Sequence, residues 1–280
     1  MNYHHAFHAG NFADVHKHIV LLALVERLKR KPKPFFYLDT HAGRGLYDLR
    51  SVEASRGHEW QDGIARLRAS SPQSEDSGRY LAALAEANPT SSSETFYAGS
   101  PILALRCLRE ADRAVFVEKE LEEAYALQQY TRARRGVSIV HGDGYAALKT
   151  YLPPREKRGL VLIDPPYESE REYTEIVRAL TFCAHRWPGG VFAVWYPLKA
   201  GGGTQRLHST LQAGELRRLL SLRLHVRPSN SPLGLNGSGM LIANPPWQFD
   251  IEMQPVMREL RDALASDSAG QAEVEWLVPE

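Results

Sequence analysis

The chain is short of cysteine, of net charge and of long apolar stretches, and each shortage narrows what it can be. Cys107 and Cys183 are the only two cysteines among 280 residues, and each lies in an apolar, helix-like segment. Reduced, buried, inert thiols are expected, which suits a cytoplasmic protein and leaves no disulfide framework to build on. The longest apolar run near the N-terminus, Ile19 to Val25, is far too short to cross a bilayer. Histidines precede it, charged residues follow it, and no small-residue cleavage pattern appears, so it does not read as a signal peptide. Formal net charge is only +1. Nucleic acid is neither favoured nor excluded by that figure, and any binding must come from local clusters. No internal repeat is visible. What remains, 43% hydrophobic and 24% charged residues, is the balance of a soluble globular chain. The length suits one large α/β domain, or one carrying an insertion.

Residues 11–31 have amphipathic helical spacing, with Val15, Ile19, Leu22, Val25 and Leu28 on one side, closed by Pro32 and Pro34. The run from Pro34 to Leu38 then delivers Asp39 into a glycine-rich turn, as a buried strand does. The same grammar recurs at 113–118, ending in Glu118, at 136–143, ending in Asp143, at 159–164, ending in Asp164, and at 190–197. Helical stretches at 100–111, 119–134, 144–151 and 172–186 separate these runs. Alternating apolar strands and helices predict a doubly wound, mostly parallel sheet, with ligands at the carboxyl ends of the strands, where the acids fall. Asp39 to Glu118 is too long for one crossover. The interval 46–98 is therefore expected to be a small helical insertion, leaving 1–45 and 99–280 as the main domain with an N-terminal capping segment. Strand-like runs at 220–226, 239–244 and 273–278 and a helix at 251–265 complete the chain.

The most specific signal is Asp164-Pro165-Pro166-Tyr167 at the end of a strand. An adenine amino nitrogen is a poor nucleophile because its lone pair is delocalised into the ring. Accepting hydrogen bonds from both of its protons favours a tetrahedral nitrogen whose lone pair can meet a methyl donor. Asp164 supplies one acceptor and the Pro165 carbonyl the other. Proline fixes the chain and carries no N–H. Tyr167 offers an aromatic face to a base taken out of its stack. Asn244-Pro245-Pro246-Trp247 has the same shape, but in this sheet arrangement the last strand runs antiparallel and opens on the opposite edge.

Asp39, Gly43 and Gly45 form a strand-to-turn pattern that lets a ligand approach the backbone closely. His41 between them suits the methionine part of a donor. Glu118 can bridge two ribose hydroxyls, while Asp143 and the Gly144 N–H can meet an adenine edge. The N-terminal segment, Tyr3 to His8 with Asn11, Asp14 and His16-Lys17-His18, could ligate zinc or form a solvated cationic face. The preferred reading is that it folds over the site, setting His18 or Lys17 against the cofactor and Tyr3 and His5 against the target; Lys17 counts among the substrate contacts. No metal is expected. Basic clusters at Lys29 to Lys31, Arg132 to Arg135 and Arg155 to Arg158 could reach phosphates, but each taken singly reads as an exposed helix end or loop.

On these residues the sequence resembles the RlmJ family of bacterial ribosomal RNA adenine-N6 methyltransferases. The resemblance runs from Tyr3, Phe7-His8, Asn11, Asp14 and Lys17-His18 through Tyr37 to Gly43, Gly99-Ser100-Pro101 and Leu162 to Glu168. It continues through Trp195 to Pro197, Gly237 to Met240, Asn244 to Trp247 and Trp276 to Glu280. It implies a Rossmann-like class I methyltransferase sheet with a helical insertion after the first strand, S-adenosylmethionine as cofactor and 23S ribosomal RNA as substrate. It further implies cofactor contacts at His18, His41, Ser100, Glu118, Asp143, Gly144 and Asp164, and a substrate contact from Tyr3. From the sequence itself, Ser100 reads as the N-cap of the helix after it. A monomer is the default.

Four other readings compete. DNA adenine methylation usually needs a larger recognition region than the insertion provides. Protein glutamine methylation usually presents Asn where Asp164 stands. A non-catalytic RNA-binding module would not keep Asp164, Glu118 and Asp143 together. A nicotinamide oxidoreductase leaves the Pro-Pro-Tyr turn unexplained.

Overall fold

The computed structural model describes residues 5–88, 95–131, 134–228, 231, 234–266 and 268–280. After a 3-10 turn at His5–Phe7 come α1 (Phe12–Lys29), β1 (Phe36–Asp39), β2 (Leu46–Asp48), α2 (Val52–Gly57), a 3-10 turn at Glu59–Gln61, α3 (Ile64–Ala69), α4 (Glu75–Ala85) and β3 (Phe96–Ala98). The chain continues with α5 (Ser100–Cys107), β4 (Arg113–Glu118), α6 (Leu121–Thr131), β5 (Val137–His141), α7 (Gly144–Tyr151), β6 (Gly159–Ile163) and α8 (Arg171–Arg186). It ends with β7 (Val191–Lys199), α9 (Gly203–Ala213), β8 (Leu219–His225), β9 (Leu235–Ala243), α10 (Phe249–Leu264) and β10 (Gln271–Val278).

Eight strands form one sheet in the order β10-β8-β9-β7-β6-β1-β4-β5, while β2 and β3 pair separately as an antiparallel ribbon. The strands β7, β6, β1, β4 and β5 run parallel, and β9 inserts antiparallel between β7 and β8. This is the Rossmann-like class I methyltransferase sheet, with β10 added antiparallel on the outer edge of β8. Period-two alternation divides the core into two layers. Tyr37, Leu160 and Leu162 point into the layer shared with α1, α5 and α10, whereas Leu38, Val161 and Ile163 face α7, α8 and α9.

Asn11 starts α1 by accepting the Asp14 N–H at its side-chain oxygen. The expected amphipathic stripe is replaced by burial on every side, from Phe12 to Val25. The cause is position, since α1 lies between the sheet and the helices α4 and α5. Such an enclosed helix has no solvent face to make polar. The helix after Ser100 stops at Cys107, short of the 100–111 expected, and Gly99 takes the N-cap place foreseen for Ser100. Between β1 and α5 lie the β2–β3 ribbon and three short helices. No helix among the described residues is long and apolar enough to cross a membrane.

Parallel strands send all their carboxyl ends to one edge, and the basic clusters fall on the wrong side of that rule. Lys29 to Lys31 close α1 ahead of β1, Arg134 and Arg135 precede β5, and Arg155 to Arg158 precede β6. All lie toward the edge opposite the acids. Arg30 pairs with Glu252, Arg155 with Glu156, and Arg158 donates to the carbonyls of Leu28 and Lys33. These residues tie up the base of the fold; Arg132 lies outside the described residues.

Candidate active site

Four acids end four adjacent parallel strands or the turns directly after them. Asp39, at the end of β1, is fully buried. It accepts the Ser100 hydroxyl at 2.7 Å, the Tyr37 hydroxyl at 3.2 Å and the His41 N–H at 3.3 Å. Burial pushes its carboxyl up to about 6, the Ser100 hydrogen bond opposing that shift and the Asp164 charge adding to it. Ser100 thus acts through its side chain on Asp39 rather than as a helix cap. Thr40 donates to the Leu162 carbonyl and lies 2.8 Å from His41 Nδ1, a geometry that puts the ring proton on Nδ1 and leaves Nε2 as an acceptor. Burial pushes His41 down to about 4, so the ring is neutral.

The turn after β1 passes through Gly43 and Gly45, both with left-handed φ. The Gly43 N–H reaches Glu118 Oε2 at 2.7 Å, and the Glu120 N–H reaches Oε1 at 2.8 Å, so two backbone donors fix the carboxylate that ends β4. Asp143 caps α7 through the Ala146 N–H at 2.8 Å. A Cβ on Gly144 would stand 2.2 Å from the Thr40 carbonyl, so only glycine lets α7 begin against the β1 turn. A glycine cradle with two carboxylates beside it is a donor and acceptor set that fits an adenosine-bearing cofactor.

Asp164 follows β6, its side chain 15% exposed and its Oδ2 2.5 Å from the Lys17 ammonium. Lys17 also contacts Asp14 Oδ1 at 2.8 Å. Burial would lower the lysine, but the two carboxylates outweigh it and hold the ammonium well above its ordinary range. The Pro165 carbonyl accepts no hydrogen bond among the described residues. Tyr167 has φ +49°, a conformation costly for a bulky side chain and kept by its surroundings. Its hydroxyl donates to the Trp195 carbonyl at 2.6 Å, and its ring packs on Tyr173 and edge-on to Trp195. Trp195 donates from its indole to Ser238 Oγ at 2.9 Å, and the same oxygen meets His16 Nδ1 at 2.9 Å.

Of the residues singled out in the sequence, the structure gathers Asp39, His41, Glu118, Asp143, Gly144, Asp164, Pro165 and Tyr167 along one sheet edge. Lys17 reaches this edge as the ion-pair partner of Asp164. His5 approaches it through Asp14, at 3.0 Å. His18 is placed differently: buried, its Nδ1 lies 2.7 Å from the Tyr97 hydroxyl, which in turn meets Tyr80. Tyr3 lies outside the described residues. His8 is bound to Glu59 and His16 to Ser238, and among the described residues no three His, Cys, Asp or Glu side chains converge as a metal site. Trp195 and Ser238 carry no spacing signal of their own, because each acts through a partner distant in sequence, whereas Asp14 acts through Lys17, one helical turn further on.

The family model described as "Ribosomal RNA large subunit methyltransferase D, RlmJ" matches residues 32–278. A Haemophilus influenzae protein named Ribosomal RNA large subunit methyltransferase J is 40% identical over 280 residues, spanning the whole of both chains. An Escherichia coli protein of the same name is 37% identical, again over both full lengths. Among solved structures, a Legionella pneumophila protein superposes with a TM-score of 0.88 at 33% identity, covering 96% of this chain and 98% of that one.

Proposed function

Because this chain belongs to the RlmJ family of large-subunit ribosomal RNA methyltransferases, we propose that it methylates N6 of an adenine in 23S ribosomal RNA at the Asp164 turn. S-adenosylmethionine supplies an electrophilic methyl group. The Glu118 carboxylate, pinned by two backbone N–H groups, suits the ribose hydroxyls, and Asp143 with the Gly144 N–H suits the adenine edge. His41, neutral and with Nε2 as an acceptor, would hold the methionine end.

The observation that carries the reading is the division of labour at Asp164. Lys17 occupies Oδ2, which leaves Oδ1 and the unengaged Pro165 carbonyl as two acceptors at one turn. They are the pair needed to hold both amino protons while the nitrogen lone pair turns to the methyl group. Lys17 fixes the orientation of the carboxylate through that contact. Tyr167 would stack on the target base, which must leave its helix at a cost of a few kcal/mol. Tyr3 and His5 would close over it. Residues 46–98 form an inserted subdomain on a main domain of 1–45 and 99–280, and the enzyme works as a cytoplasmic monomer.

The test is to incubate the protein with tritiated donor and, separately, 23S ribosomal RNA, duplex DNA and protein, then digest to nucleosides. N6-methyladenosine from the RNA is the expected product. Label confined to DNA would reject the ribosomal assignment.

A further inference from the structure

The Lys17–Asp164 pair is attached to the rest of the molecule through a residue that does not face the site. Asp14 is buried, and its two oxygens are divided. Oδ1 takes the Lys17 ammonium at 2.8 Å. Oδ2 takes the Gly10 N–H and His5 Nε2, each at 3.0 Å. One carboxylate therefore joins the helix that carries Lys17 to the segment just before it.

That segment is held in turn by residues 59–64. Glu59 binds His8 at 3.0 Å and the Asn11 side-chain amide at 2.9 Å. Ile64 donates its N–H to the Gly10 carbonyl at 2.9 Å. A Cβ on Gly63 would stand 2.1 Å from that same carbonyl, so the two backbones touch. Asn11 closes the circuit by accepting the Asp14 N–H at 2.9 Å. A continuous chain of contacts runs from Glu59 through Asn11, Asp14 and Lys17 to Asp164.

We propose that Asp14 is a positioning residue that shares the Lys17 ammonium with Asp164, in a proportion set by the docking of residues 5–11 against residues 59–64. With Gly10 and His5 on Oδ2, only Oδ1 of Asp14 is available to the ammonium, and Lys17 reaches across to Asp164. If the segment lifts, Oδ2 is freed, Asp14 can take the ammonium with both oxygens, and Asp164 loses its partner. Docking of 5–11 thus readies the carboxylate that receives the target amino group. The inference rests on the reading of Asp164 as the amino-group acceptor.

Lys17 contacts Asp14 on its own helix, Asp164 beyond β6 and the Trp195 ring on β7, and its charge also acts on His18 of its own helix and Tyr80 of α4. Removing the Asp14 charge takes away one of the two anions that keep the lysine protonated. Asp14→Asn preserves size and an oxygen for Gly10. In single-turnover assays with 23S ribosomal RNA, its transfer rate should fall at least tenfold, with donor Kd and RNA KM within twofold of the parent. Its alkaline limb should also move to lower pH. A parental rate, or a slower rate with an unmoved pH profile, would overturn the proposal. Should that variant not fold, Glu59→Gln serves, being outside the core. It should lower the rate several-fold with donor Kd unchanged, and a parental rate would break the link to residues 59–64. The parent enzyme is run alongside, and its failure to methylate the RNA would overturn the functional reading instead.

Discussion

Two turns of this molecule share one sequence shape and differ in what surrounds them. Asp164-Pro165-Pro166-Tyr167 follows β6, and Asn244-Pro245-Pro246-Trp247 follows β9. Both contain a non-glycine residue with positive φ, Tyr167 in one and Asn244 in the other. Yet Asp164 is held by a buried lysine, whereas the Asn244 amide donates to the Pro188 and Gly190 carbonyls and merely ties a loop. Tyr167 is packed between Tyr173 and Trp195; Trp247 is 81% exposed. The cause is strand direction. Because β9 is antiparallel to β7, its carboxyl end opens away from Asp39, Glu118 and Asp143. The chemistry of such a motif is assigned by the edge on which it opens.

The sharpest way to break this comparison is to truncate both turns. Asp164→Ala should lower methyl transfer on the order of 10³-fold while donor binding, measured by calorimetry, stays within a few-fold. Asn244→Ala should stay within twofold in rate. The reverse ranking would move the reacting centre to the other edge. The aromatic pair comes next. Tyr167→Ala should lose about 1–3 kcal/mol of base stacking, read as kcat/KM for RNA. Trp247→Ala should leave that ratio unchanged, and equal losses would mean that neither ring marks the site.

A pH experiment separates the two edges further. Burial pushes His16, which supports Trp195 through Ser238, down to about 3. An unfolded histidine binds its proton near pH 6.5, so the unfolded chain takes up more protons between those values and stability falls as pH drops from about 6.5 toward 3. The slope reaches about 1.4 kcal/mol per pH unit for this one residue. Chemical denaturation of His16→Gln from pH 7 to 4.5 should show a shallower loss than the parent, and an identical slope would reject the assignment. The smallest expected effect is at the far edge. Arg155→Ala should leave RNA KM and its salt dependence within error, whereas a slope smaller by about one unit would place a phosphate there.

What could be read in advance follows the same logic. Each of β1, β4, β5 and β6 is a short apolar run with an acid at or just past its end, so strand, direction and candidate ligand group were legible together. The reversed strand before Asn244 was expected from the methyltransferase arrangement of such a sheet, and the opposed fates of the two Pro-Pro turns with it. Two things were not legible, and a third was legible but undrawn. α1 was legible as a helix, but its enclosure by α4, α5 and the sheet was not, because the spacing of Val15, Ile19, Leu22, Val25 and Leu28 suggested a solvent face opposite them that the fold does not have. The partners Lys17 and Asp164 lie far apart in sequence, and nothing in either local pattern points to the other. The basic clusters looked equivalent until strand direction put them at the base, although their places just before β1, β5 and β6 already contained that answer.

The most direct test of the account is a crystal structure with S-adenosylmethionine, or an unreactive analogue, and an adenosine nucleotide together. The account predicts the amino nitrogen within roughly 2.6–3.2 Å of both Asp164 Oδ1 and the Pro165 carbonyl oxygen, with the sulfonium facing it. A nucleotide seated elsewhere, or a sulfonium turned away from Asp164, would contradict it.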